Sequence, residues 1–125
     1  LKQSDYIAGF NADPQEIGRG DIVVFNTGVK DDFYVKRVVG MPGETILIFN
    51  GYVFVNGQLL DEPYVKYRST DTLGPLRVGE KRVFVMGDNR VNSLDSRIYG
   101  TLPLSLIEAE VTFIYNPISR IGLVQ

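Results

Sequence analysis

Histidine and cysteine are both missing from this 125-residue chain, and the two absences remove much of the usual hydrolytic chemistry. Without histidine there is no Ser-His-Asp triad and no His-ligated zinc. Without cysteine there is no disulfide, no thiolate metal site and no Cys nucleophile, and the compartment is left open. No run approaches the roughly eighteen consecutive apolar residues of a membrane span, so neither a transmembrane helix nor a secretory leader core is read here. Positive charge is not in excess either: 13 basic against 15 acidic residues give a net charge of -2, which leaves no electrostatic case for nucleic acid. A peptide-like or apolar partner fits better, and no metal or other cofactor is implied. An initiator methionine is lacking, and the chain, beginning at Leu1, reads as a piece of something longer. A serine hydrolase of this composition has to use lysine as its base.

What is present is mostly β-type sequence. Short runs of branched and aromatic residues, separated by Gly, Pro, Asn and Asp, recur at the spacing of an all-β domain. Strands are expected at Tyr6 to Gly9, Asp21 to Asn26, Phe33 to Val39, Thr45 to Phe49, Tyr52 to Val55, Lys81 to Met86 and Glu108 to Tyr115. A short helical turn is expected at Pro103 to Ile107, since proline is tolerated in a first turn. Asn50-Gly51 and Asn56-Gly57 flank the YVFV run and suit type I′ hairpins, whose central residues need positive φ. They describe a meander from Thr45 to about Leu60. The polar stretch DEPYVKYRSTDTLGPLRVGE that follows reads as a loop returning the chain to the main sheet. One domain's worth of chain thus divides into a barrel-like antiparallel core, residues 1–44 and 81–125, and a small inserted β cap, residues 45–80.

Two segments carry chemistry. In FYVKRVVGMPGE, Lys36 stands among Phe33, Tyr34, Val35, Val38 and Val39. An apolar site penalises the charged form of an amine, and a free amine can activate a serine. A lone lysine in a strand is more often a snorkelling side chain with its head in water, so Lys36 needs support from elsewhere. The second segment, VFVMGDNRVNSLDSRIYG, runs from an apolar strand into Gly87, Asp88, Asn89, Arg90, Asn92, Ser93, Asp95, Ser96 and Arg97. GDN alone after a strand is usually a hairpin turn. The added SLDSR changes the reading: Asp95 and Arg97 are close enough to form an ion pair that fixes the loop, and Ser93 is then placed to give Lys36 a polar partner. The plain alternative is a serine that only caps the turn.

Together, YVKRVVGMPGE and MGDNRVNSLDSRIYG resemble two diagnostic segments of bacterial type I signal peptidases, the membrane-bound Ser/Lys proteases that remove leader peptides from exported proteins. RGDIVVF and the VNG and DEPY segments fit the same family, in matching order along nearly the whole chain. The resemblance implies that Lys36 is the general base, that Ser93 hydrogen-bonds it, that Asp95 and Arg97 are the supporting ion pair, and that Gly87 packs closely against the lysine. It implies substrate-lining roles for Leu1, Ile7, Val24, Tyr34 and Val35, small apolar pockets for an Ala-x-Ala sequence, and a signal peptide bound as an added strand along Phe33 to Lys36. The family nucleophile lies in a motif S-M-x-P-T-L. Leu1 resembles its last residue, which puts the nucleophile five positions before Leu1, outside this chain, and makes the fragment catalytically incomplete. Ser4, Ser69, Ser96, Ser105 and Ser119 do not fall where the family places it.

One departure is visible: SDYIAGF is followed by no V-x-K, and Ala8 and Gly9 stand in that region. The parent protein is expected to be tethered by an N-terminal membrane helix, to face the extracytoplasmic side and to take the signal peptides of exported pre-proteins, pilins among them. The short cap resembles Gram-positive members. Three rivals remain. A LexA-like self-cleaving Ser/Lys domain shares the dyad but not the GDNR-x-x-S-x-DSR pattern. A non-cleaving signal-peptidase-like accessory protein of pilus assembly shares the fold but dispenses with members of the dyad. An ordinary β-domain has Lys36 and Ser93 on a solvated surface.

Overall fold

The structure is a computed structural model that describes residues 6–11, 16–26 and 31–115, with the backbone alone described for 6–11 and 111–115. Ten strands make up nearly all of its regular structure: β1 Tyr6–Asn11, β2 Ile22–Asn26, β3 Phe33–Gly40, β4 Thr45–Phe49, β5 Tyr52–Val55, β6 Gln58–Leu59, β7 Leu73–Arg77, β8 Arg82–Met86, β9 Leu102–Pro103 and β10 Ile107–Tyr115. One helical turn, α1 Ser96–Tyr99, and a 3-10 turn at Leu104–Leu106 interrupt them. The strands form an antiparallel six-stranded sheet in the order β1-β10-β2-β3-β8-β9 and a four-stranded sheet in the order β6-β5-β4-β7. All four strands of the second sheet fall within residues 45–77.

The period of two in the sequence decides which residues face inward. In β2, Val23 and Phe25 are buried, as are Ile46 and Ile48 in β4 and Val53 and Val55 in β5. Strand β8 is buried on both faces. Val83 and Val85 join Val23, Phe25 and Val38 in one apolar cluster, whereas Phe84 and Met86 join Val39, Ile46, Ile48 and Val53 in another. The second sheet therefore shares its core with β3 and β8 of the first. Each fully buried side chain of this size contributes about 1.5–3 kcal/mol relative to exposure, so removing Phe84 strikes the junction of the sheets.

Both Asn-Gly turns have positive φ at their two central residues, 50° and 82° at Asn50 and Gly51 and 50° and 84° at Asn56 and Gly57, as type I′ geometry needs. The stretch expected to be a loop after Leu60 instead contains β7, which pairs with β4 through Thr45↔Arg77, Ile46↔Leu76 and Ile48↔Leu73. Gly74 and Pro75 hide it from propensity, and an edge strand tolerates proline because one side needs no donor. The helical turn near Pro103 is confined to Leu104–Leu106. Unanticipated were the two-residue β9 and α1, which Asp95 starts by accepting a hydrogen bond from the Arg97 backbone N–H.

Candidate active site

Strand β8 follows β3 only from Arg37 onward, pairing Arg37↔Met86, Val38↔Val85 and Gly40↔Phe84. Residues 33–36 therefore have β2 on one side, through Asn26↔Phe33 to Val23↔Lys36, and no strand on the other among the described residues. Lys36 sits where this double cover ends. Its side chain lies on the Tyr34 and Val38 face, next to the cluster that contains Val23 and Val38. The pleat sends Phe33, Val35 and Val39 to the other face, so the five apolar neighbours expected from sequence do not surround the amine together. Lys36 is partly buried, with less than about a third of its surface left to solvent, although β8 leaves β3 before reaching it.

The loop after β8 turns back over this point. Lys36 Nζ donates to Ser93 Oγ at 3.1 Å, and Ser93 Oγ donates to Asp95 Oδ2 at 2.9 Å. A hydroxyl has one proton to give; with it committed to Asp95, the serine offers the amine a lone pair. Asp95 is itself gripped by Arg97, whose Nε and Nη2 reach Oδ1 and Oδ2 at 2.9 Å each. Burial of the Asp95 carboxyl acts to raise its pKa, but the Arg97 guanidinium and the backbone N–H groups of Gly87 and Arg97 outweigh it and hold it below the usual carboxylate range. Arg97 neutralises the carboxylate, so Lys36 meets an oriented hydroxyl rather than a bare charge.

Gly87 is the tightest point. A Cβ there would lie 2.0 Å from Ser93 Oγ, 2.7 Å from Ser93 Cβ and 3.5 Å from Lys36 Nζ. Its N–H donates to Asp95 Oδ2 at 2.9 Å, and its carbonyl accepts from Arg90 Nε at 2.7 Å. Glycine is needed here for space, because no other residue lets the strand end approach Ser93 and Lys36 so closely.

Two further ion pairs brace the site, and neither was anticipated. Arg37 makes a two-pronged contact with Asp88, Nε to Oδ1 at 2.9 Å and Nη2 to Oδ2 at 2.8 Å, donates to the Gly20 carbonyl, and lies 4.1 Å from the Tyr64 ring centroid. Burial, then the nearby Glu62 charge, pushes the Tyr64 phenol up to about 12. Arg90 pairs with Glu62, and both side chains are fully buried. GDNR and DEPY were noticed as motifs, but no local spacing connects Arg90 to Glu62.

The residues expected to line substrate pockets separate by face. Val24 and Val35 are a register pair on the face opposite Lys36. Val35 is 56% exposed and Phe33 is 50% exposed. Tyr34, half-buried on the Lys36 face, packs edge-on against Phe25. The backbone of Ile7 pairs with Ile114 in β1 and β10, and Leu1 lies outside the described residues. Ile22, Val35, Lys36, Arg37, Gly87 and Asp88 enclose a cleft of about 200 Å³. A larger cleft of about 480 Å³ lies on the Ser93 side, between residues 68–71 and 90–98. Ser69 and Ser96 are engaged elsewhere, with Asp71 and Arg97 and with the Val85 N–H; Ser4 and Ser119 lie outside the described residues. Among the described residues no cluster of three or more acidic side chains is placed to hold a metal, and no helix is long and apolar enough to cross a membrane.

Comparison with known proteins bears on the family and the fold. The family model described as signal peptidase, peptidase S26, matches residues 1–116. Signal peptidase I S of Bacillus subtilis (strain 168) is 40% identical over 117 residues, covering 84% of this chain and 62% of that protein. The probable signal peptidase I-2 of Synechocystis is 37% identical, covering 84% of this chain and 51% of that protein. The crystal structure of a signal peptidase I from Enterococcus faecalis V583 superposes with a TM-score of 0.64 at 28% identity, covering 89% of this chain and 98% of that one. The chain spans about half to three-fifths of the length of these curated relatives. It belongs to the S26 signal peptidase family and has that family's mostly antiparallel β fold.

Proposed function

We propose that this chain is the larger part of the catalytic domain of a membrane-bound serine endopeptidase that removes signal peptides from exported pre-proteins, with Lys36 as general base. The carrying observation is the continuous relay from Lys36 Nζ to Ser93 Oγ to Asp95, at 3.1 and 2.9 Å, anchored by Arg97. Donation to Ser93 fixes Lys36 Nζ beside the cleft that Val35 and Gly87 help to line. The nucleophile in this reading is a serine just before Leu1. Lys36 takes its proton, the serine oxygen attacks the peptide carbonyl, the leaving amine is protonated, and water activated by the same lysine hydrolyses the acyl-enzyme.

The open side of Phe33 to Lys36 is where an extended signal peptide adds as a strand, with Val24 and Val35 offering apolar surface on one face and Tyr34 on the other. Residues 1–44 and 81–125 form the catalytic core in this reading, and residues 45–80 a cap. The parent protein is anchored in the cell membrane with this domain on the extracytoplasmic side. In the full-length protein, Lys36→Ala lowers precursor cleavage on the order of 10²–10⁴-fold, the usual contribution of a general base, while far-UV circular dichroism is unchanged. Cleavage at the wild-type rate by Lys36→Ala contradicts the reading. A non-nucleophilic residue at the expected upstream position, with no cleavage by wild type, leaves the non-cleaving pilus accessory role instead.

A further inference from the structure

Gly87 is held at both ends. Asp95 fixes its N–H, and its carbonyl is fixed by Arg90 Nε at 2.7 Å. The Arg90 guanidinium would be free to turn if nothing held its far side. Glu62 holds it, accepting from Nη1 at 3.2 Å and from Nη2 at 2.5 Å, with both side chains removed from solvent. Glu62 is fixed in turn by Arg68 Nη1 and by the Tyr64 hydroxyl, each at 3.3 Å. The circuit closes through the Arg90 carbonyl, which accepts from Arg97 Nη1 at 2.9 Å.

We propose that Glu62 and Arg90 are positioning residues for the lysine base: a buried pair that clamps the Gly87 carbonyl and so fixes the distance between Ser93 and Lys36. The proposal rests on Lys36 acting as base. A hydrophobic contact at Gly87 could set its height above Ser93 but not its rotation, because an apolar wall has no preferred direction. A guanidinium held flat by two carboxylate oxygens has one direction left for its Nε–H. That direction meets the Gly87 carbonyl. Without that anchor the backbone at Gly87 is free to shift against Ser93 Oγ, where a Cβ has no room, and the Lys36 to Ser93 hydrogen bond would lengthen with it. Glu62 thereby connects the segment leaving the second sheet to the reacting centre without touching substrate.

The test uses the full-length protein, a precursor substrate and the paired variant Glu62→Leu/Arg90→Met. Replacing both members of a buried ion pair by apolar residues is often neutral for stability, whereas removing one strands a charge. The paired variant is expected to melt close to wild type and to keep KM within about twofold, while kcat falls about tenfold or more, since small misplacements at a reacting centre have effects of this order. Arg90→Lys, which keeps the charge on Glu62 but loses the flat guanidinium, is expected to lower kcat alone by a smaller factor. Should the paired variant fail to fold, Arg90→Lys decides: lowered kcat at constant KM supports the clamp, and unchanged kcat overturns it. A folded paired variant with wild-type kcat overturns it too. Lys36→Ala is run alongside. If it is inactive beside a fully active paired variant, the clamp alone is wrong; if it cleaves like wild type, the lysine base and the clamp fall together.

Discussion

Two arginine–carboxylate pairs grip the same residue, Gly87, and they do so by different routes. Asp95 and Arg97 are two residues apart, at the start of α1, and their contact includes a backbone hydrogen bond that caps the helical turn. Arg97 also keeps a second partner, the half-exposed Asp71. Glu62 and Arg90 are separated by 28 residues and have no exposed side-chain surface at all. The first pair can form as soon as the loop turns. The second closes only when the segment leaving the second sheet has docked on the loop after β8, so loop-closure entropy has been met before it contributes. The local pair orients the Ser93 hydroxyl, and the distant pair ties that orientation to completion of the whole fold.

The comparison breaks most sharply at Gly87 itself, where both grips meet. Gly87→Ala introduces a Cβ 2.0 Å from Ser93 Oγ, and cleavage by the full-length protein is expected to fall about 100-fold or more. Retained activity would mean that the hydroxyl can move without consequence. For stability, Glu62→Ala leaves Arg90 charged and buried, and urea unfolding should show a loss of about 3–5 kcal/mol. Asp95→Asn keeps part of its hydrogen bonding and leaves Arg97 with Asp71, so a smaller loss of about 1.5–3 kcal/mol is expected. A reversed order contradicts the distinction between the pairs.

A pH series sharpens the local half. The folded-state pKa of Asp95 is depressed, so this carboxylate contributes stability that is fully present above its unfolded value near 3.9 and is lost as pH falls through the lower folded value. Asp95→Asn should flatten that part of the acid-unfolding curve, and an unchanged acid limb speaks against it. The smallest effect is expected at the open strand edge. Val35 is more than half exposed, so Val35→Ala should leave stability within about 0.5 kcal/mol while raising KM for a precursor a few-fold; an unchanged KM removes Val35 from the substrate wall.

What could be read from sequence follows the same division between near and far. Asp95–Arg97 and the two Asn-Gly turns were legible because their partners lie within a few residues. The approach of Lys36 to Ser93, 57 residues apart, was suggested by their chemistry and made specific by the family resemblance, since no periodicity brings β3 and the 87–96 loop together. Glu62–Arg90 and Arg37–Asp88 stayed hidden because each joins distant segments through tertiary packing. Strand β7 stayed hidden because Gly74 and Pro75 carry turn propensity and only pairing with β4 overrides it. The division of the lining residues into Tyr34 on one face and Val24 with Val35 on the other needed the register of β2 against β3.

The base itself is tested most directly by removing the amine and putting one back. This chain has no cysteine, so Lys36→Cys in the full-length protein places there the sole thiol of these 125 residues, and 2-bromoethylamine converts it to a lysine-like amine. Lys36→Cys should leave a precursor uncut, and aminoethylation should restore cleavage at the original bond. Cleavage by the unmodified cysteine variant, or none after complete aminoethylation of the folded protein, contradicts Lys36 as the base.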